Sequence, residues 1–396
     1  MKKFSLILLT CAVGAGILQA EIMTSPTWGY TLDMPEGFEL IDKTGNERFL
    51  FSSTVVPVQL IVSVYPPSRY GSAEQALEDM REQLSAEARI AGFRWREQGA
   101  AIGQLTFPVP GNKPETRQKY QGWMEAVELP GKQGILILIA YTTEEQAGEY
   151  EHFIISTLDA VYTDRGSRFE TGPMTAFVWP AAGEQSYPLT IRGKTVTVTL
   201  DADDGEANQF VVDREFEVLK LYLGSKHWRT AWQRYYRAIY RDAYKRLERA
   251  GFDIFNALCY GENPVTGDEE LTAALLEWTQ GFTYTRVPEG SDFISLPRVL
   301  TESTGDCDSR ALLLAILLNQ MNLDTVLFIS PEYSHALAGF AIEGSGARME
   351  TDLSGAVTGT GRDGYLVGET TANVPPGQVA QDMADPGKWF AVIFPQ

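Results

Sequence analysis

The chain has 396 residues, 44% of them apolar, with 52 acidic against 33 basic side chains and a formal net charge of −19. That length predicts two or three domains with ample core in each. So acidic a surface repels nucleic acid and anionic lipid, which excludes a protein built to hold either.

The first 20 residues carry Lys2 and Lys3, an apolar run from Phe4 to Leu18, and the small-residue end Leu18-Gln19-Ala20. They read as a secretory signal peptide cleaved before Glu21. Leu8-Leu9-Thr10-Cys11 hints at a lipoprotein site, but it lacks the small residue before the cysteine and would leave a very short apolar region. Losing Lys2 and Lys3 takes the net charge from −19 to −21. No other stretch is long and apolar enough to span a membrane, so an exported protein without a transmembrane anchor is expected, in a bacterial periplasm or secreted. Two cysteines then remain, Cys259 and Cys307. An oxidising compartment allows them one disulfide. Cys259 ends a predicted helix among Phe255, Leu258 and Tyr260 and reads as a buried free thiol.

Residues 21–163 read as the first domain, expected to fold alone. Tyr30–Met34 is a strand followed by a turn at Pro35-Glu36-Gly37, and Val58–Tyr65 is a second strand. Ser72 caps a helix through Leu77, Met80 and Leu84. Gly122–Val127 and Gly134–Ala140 pair around Pro130-Gly131, and a last helix covers Glu144–Leu158. Strands between an early and a late helix predict an α/β sandwich. The opening phrase from Tyr30 to Phe38 resembles the PsbP/Mog1-like fold, which implies a binding or positioning role, here toward a cell-envelope partner. No nucleophile, metal cluster or phosphate loop is apparent in this half.

Residues 164–222 change character. Met174–Trp179, Leu189–Ile191, Thr195–Leu200, Phe210–Val212 and Phe216–Leu219 look like short strands of a β-rich linker module. The acidic run Asp201–Glu206 lacks the alternating oxygen ligands of a calcium loop and reads as a solvated hairpin turn.

Residues 223–396 form the last domain. A long helix runs from Ser225 to about Leu258, with Trp228, Trp232, Tyr235, Ile239, Ala243 and Leu247 on an apolar stripe. Arg234, Arg237, Arg241, Lys245 and Arg249 lie largely off it and predict acidic partners within the chain. A second helix covers Glu269–Gln280. Then comes Gly305-Asp306-Cys307-Asp308-Ser309-Arg310, followed by the apolar run Ala311–Leu318. Gly305 and Asp306 read as a turn and a helix N-cap, which puts Cys307 in the first turn of a core helix. Backbone N–H groups and the helix dipole there favour a thiolate, the form that attacks carbonyl carbon. The alternative is a small buried cysteine near a helix end.

A cysteine nucleophile needs a base. Of three histidines, His152 sits on a predicted surface helix and His227 opens the long helix; neither has a strand-and-carboxylate setting. His335 follows the turn Ser330–Ser334 and begins the strand-like run Ala336–Ile342. A third group should fix its tautomer. Glu369 ends the strand-like run Tyr365–Gly368, and Asp352 in Met349-Glu350-Thr351-Asp352 is its rival. Glu369 is preferred because its strand context holds a carboxylate more rigidly than the glycine-rich stretch Gly355–Gly364 beside Asp352.

Gly-Asp-Cys-Asp before an apolar helix, an Asn-Leu-Asp-Thr turn, a strand and then Ser-His-Ala-Leu resembles the transglutaminase-like (papain-like) superfamily, over about residues 223–396. The resemblance implies an overall α+β chain with a C-terminal papain-type domain and a catalytic set of Cys307, His335 and Glu369, with Glu in place of the family's usual Asp. It implies cleavage or transfer of amide bonds in a protein or peptide substrate through an acyl-thioester, hydrolysis favoured, with no metal or organic cofactor. By the same analogy Gln280 is a candidate oxyanion donor, an ordinary helix-end amide being the alternative. A different class of function is a non-catalytic envelope scaffold built on the same fold.

Overall fold

The computed structural model describes residues 22–108, 118–260, 263–286 and 291–395; the predicted leader lies outside them. The fold is α+β. Its N-terminal part is a seven-stranded antiparallel sheet in the order Phe38–Thr44, Arg48–Ser53, Gln59–Tyr65, Ile135–Thr143, Lys119–Glu128, Gln98–Pro108, Glu87–Trp95. Ile135–Ala140 of its central strand is an unbroken apolar run because both faces are covered. Ile135, Ile137 and Ile139 pack with Ala76, Leu77 and Met80 of the helix Ala73–Gln83. Leu136, Leu138 and Ala140 pack with Phe153, Ile154 and Leu158 of the helix Glu151–Asp159. The expected sandwich is therefore present, with Ser72 accepting from the Gln75 N–H as the helix cap. The second helix begins at Glu151 rather than Glu144, after a series of turns.

Residues 164–222 differ from the expected β module. Only Glu184–Ile191 and Lys194–Asp201 are strands, paired as a hairpin. Pro173–Val178 is a helix, started by a proline at its first turn, where the missing N–H costs nothing. Asp204–Lys220 is a helix as well. Its apolar doublets resemble strand fragments, but Val211, Val212, Glu215 and Val218 recur at helical spacing and are buried on one side. Asp201–Glu206 is a strand end running into that helix rather than a solvated turn. Asp201 accepts the Ala182, Gly183 and Asp203 N–H groups, and Asp204 pairs with Arg246 at 3.0 Å.

The long helix Trp228–Cys259 turns Arg234, Arg237 and Arg241 inward, onto acids and carbonyls as expected, while Arg249 stays exposed beside Asp253. Arg234 donates to Glu215 (2.8 Å), to Ser156 and to the Asp33 carbonyl. Arg237 holds Asp33 through two nitrogens, and Arg214 joins Asp159 to Glu215. The sandwich core also continues past residue 163: Met174, Val218, Tyr222 and Ala231 are buried in it.

The C-terminal sheet is antiparallel, in the order Val357–Gly359, Arg348–Thr351, Tyr365–Gly368, His335–Phe340, Thr325–Ser330, Phe390–Ile393. The helix Cys307–Gln320 packs on it with every residue from Ser309 to Leu318 buried, so it has no polar stripe. Cys259 and Cys307 are both free thiols, which removes the disulfide. Among the described residues no helix is long and apolar enough to cross a membrane.

Candidate functional site

The site starts from the cap. Asp306 accepts from the Ser309 N–H at 3.2 Å, and the Ser309 hydroxyl accepts from the Asp306 N–H at 3.1 Å, a reciprocal capping box. Gly305 has φ +153°, and a Cβ there would lie 2.9 Å from Ser309 Oγ, so the box itself demands glycine. Thr304–Gly305 also pairs in parallel with Thr283–Tyr284. Cys307 is thus the first residue of a helix whose start is held from two sides. The backbone N–H groups of Ala336 and Asp308 favour its charged form, and Ala336, the residue after His335, lines the same cleft as Cys307.

His335 opens its strand as expected. Its Nε2 lies 2.7 Å from Glu369 Oε2. The pairing Ala338↔Gly368, Gly339↔Val367 brings Glu369, one residue past its strand, back to the histidine. The other oxygen of Glu369 accepts from the Thr371 N–H and hydroxyl, each at 2.7 Å. Burial pushes this carboxyl up, but the His335 contact and the Thr371 donors outweigh it and hold it below the ordinary range. With Nε2 given to the carboxylate, Nδ1 is the ring nitrogen left for other work.

Asp352 does not reach the histidine. Its Oδ1 accepts from the Ser354 N–H and hydroxyl and from the Ala356 N–H, closing a local turn. Gln280 is not an oxyanion donor either. Its amide donates to the Glu369 and Val374 carbonyls at 2.8 and 2.7 Å, which braces the chain that carries Glu369. Thr371 and this role of Gln280 were missed from sequence. The role of a hydroxyl two residues past an acid shows only once the turn is built.

Cys307 and His335 open on one cleft of about 350 Å³, walled by Trp232, Tyr235, Tyr236 and Tyr284. Ser291, Asp292 and Phe293 add to the wall. Asp308 accepts from the Tyr236 hydroxyl at 2.7 Å.

One expectation is overturned. Burial, then the charges of Asp308 and Asp306, push the Cys307 thiol up to about 12, against the pull of the Ala336 and Asp308 backbone N–H groups. A helix start alone does not make a thiolate when two acids share it. Asp306 is itself pushed up to about 9, first by burial and then by Asp308. Burial and these acids therefore favour the thiol over the thiolate, beside the His335–Glu369 contact.

The chain matches no protein-family model and no curated protein sequence. Among solved structures it is similar to PsbP of Synechocystis sp. PCC 6803, at 14% identity and TM-score 0.30, over 39% of this chain and 98% of that one. It is similar to the Ran-binding protein Mog1p of Saccharomyces cerevisiae, at 10% and 0.28, over 37% and 96%. It is similar also to LpqN of Mycobacterium tuberculosis, described as involved in cell envelope biogenesis, at 8% and 0.24, over 34% and 82%. Likenesses at this level carry no argument about function.

Proposed function

We propose that residues 223–396 form a transglutaminase-like cysteine domain that cleaves or transfers amide or ester bonds, hydrolysis favoured. The observation that carries this reading is the 2.7 Å His335–Glu369 contact on the cleft that Cys307 also lines. In the proposed cycle His335 Nδ1 takes the thiol proton as sulfur attacks the carbonyl carbon, and the carbonyl electron pair moves onto oxygen. The N–H of Cys307, at the first helical position, has no acceptor within its helix and serves the oxyanion. Collapse breaks the bond to the leaving group, which takes the proton from the imidazolium. Water then attacks the thioester, gives a proton to His335, and releases the acid and the thiol. Glu369 keeps the proton on Nε2 and stabilises the imidazolium. No step calls on a metal or an organic cofactor. The substrate class is a protein or peptide, and export to the periplasm or medium is part of the same reading.

An activated ester, p-nitrophenyl acetate, tests it. Cys307→Ala should abolish turnover and the acetyl-thioester seen by mass spectrometry. Glu369→Gln should lower turnover by about 10²–10⁴, the upper end being the loss when a triad histidine is left in the wrong tautomer. Asp352→Asn should have little effect, since that carboxylate serves its own turn. Unchanged turnover in Cys307→Ala would end the reading; a larger loss in Asp352→Asn than in Glu369→Gln would end the assignment of the third residue.

A second reading, a non-catalytic envelope scaffold, draws on the thiol lying near 12. It expects Cys307 to react with iodoacetamide no faster than a free thiol at neutral pH, with no change on His335→Ala. The enzyme reading expects that substitution to slow the reaction.

A further inference from the structure

A second pocket, of about 220 Å³, lies at the seam between the two parts of the molecule. Its lining comes from the strand Thr31–Asp33, which pairs with Ile22–Thr24 and Val161–Tyr162, from the long helix (Arg237, Arg241), from the short turn bearing Arg168, and from the chain near Phe394. Three guanidiniums there face one carboxylate, a local excess of two positive charges in a chain of net −19. Such a concave spot focuses the field on an anion.

The guanidiniums are not equally committed. Arg241 donates to the Asp159 and Val161 carbonyls, and its Nε is sealed in without a partner. Arg237 spends Nε and Nη2 on Asp33, at 2.9 and 2.8 Å, which leaves Nη1 for a ligand. Arg168 is the least engaged. The acids nearest it in the chain are taken: Asp164 by Arg96, and Glu170 by Arg96 and Lys245. Ile22, Leu353, Ile393, Phe394 and Pro395 give the wall an apolar side, and Thr31, Tyr162, Gln233 and Ser354 complete it with polar groups. At 220 Å³ the pocket is smaller than the roughly 300–1,000 Å³ of drug-sized sites.

We propose that this seam pocket binds a small organic anion with an apolar tail, its carboxylate held by Arg168 and Arg237 and its tail against Ile393 and Phe394. Guanidiniums suit a carboxylate because their planar fork matches its two oxygens. The pocket takes residues from both parts, so a bound anion ties them together and raises the melting temperature by mass action. The inference is independent of the chemistry at Cys307.

The test uses the full chain with N-acetyl-leucine, its neutral amide N-acetyl-leucinamide, and inorganic phosphate, followed by titration calorimetry and thermal melting. The acid should bind saturably and raise the melting temperature. The amide and phosphate should each bind at least about tenfold more weakly, one lacking the charge and the other the tail. Arg168→Ala, at a half-buried position outside the buried ion pairs, should weaken the acid by about tenfold. Arg69→Ala, on the far side of the sandwich sheet, should change nothing. Absence of saturable binding, equal binding of acid and amide, tighter binding of phosphate, or full affinity in Arg168→Ala would each overturn the proposal.

Discussion

Single buried carboxyls report most directly on what the fold does to a side chain. Glu36 is 2% exposed, and neither of its oxygens has a hydrogen-bond partner. Burial pushes its pKa up to about 7, against the pull of Arg234 and Arg237. The unfolded chain, with this group at its ordinary 4.5, gives up the proton first. The stabilising contribution of the protonated form is therefore whole below about pH 4.5 and is lost as pH rises through 7. Glu36→Gln removes the charge without the volume, so it should raise the melting temperature by a few degrees at pH 8 and by little at pH 4.5. Equal shifts at the two pH values would mean that Glu36 does not titrate in this range. Glu369 has the opposite sign. Its carboxyl is held low, so its contribution is present above the ordinary carboxylate range and is lost as pH falls through its folded value.

Among the elements, the long helix does more than pack. Its Arg234 meets Glu215, which also accepts from Arg214 and from the Ser156 hydroxyl. All four side chains are buried. Burial alone would neutralise Glu215, and the two guanidiniums keep it ionised. Removing one member strands the others, a loss of about 3–5 kcal/mol in comparable buried pairs. Glu215→Ala should therefore cost about that much in a urea melt. Arg298→Ala, which breaks the half-exposed pair with Glu302, should cost under about 1 kcal/mol. Similar midpoints for the two variants would show that the buried cluster is not a structural keystone.

Across the whole molecule, the seam decides how separable the parts are. The sandwich borrows Met174, Val218, Tyr222 and Ala231 for its core, and the Tyr222 hydroxyl donates to the Glu36 carbonyl at 2.8 Å. A piece ending at residue 163 keeps the seven-stranded sheet but loses these side chains. It also leaves Asp33 without Arg237 and Asp159 without Arg214. Expressed alone, residues 21–163 should unfold at a lower temperature and with less cooperativity than the sandwich does in the full chain. A sharp transition at the full chain's temperature would show the seam to be dispensable. The expectation of a self-sufficient first domain did not include these arginines, which lie 55 to 204 residues further along the chain than the acids they meet.

The local features of the site were legible in the amino-acid order. A cap residue, a glycine that only the capping box explains, and an unbroken apolar run specify the helix start at Cys307 through interactions within a few residues. His335 at a strand start and Glu369 after an apolar strand were read the same way. The strand-like doublets of residues 210–219 misled, because period alone does not separate short buried strands from a buried helix. What only the tertiary structure decided is everything that acts through space. The choice of Glu369 over Asp352 depends on two strands pairing across 34 residues. The neutral state of the Cys307 thiol depends on how deeply it is buried and on how close two aspartates lie. Burial and charge are sums over neighbours that the chain order does not list, so a helix N-terminus promised a thiolate and the assembled site withdrew it.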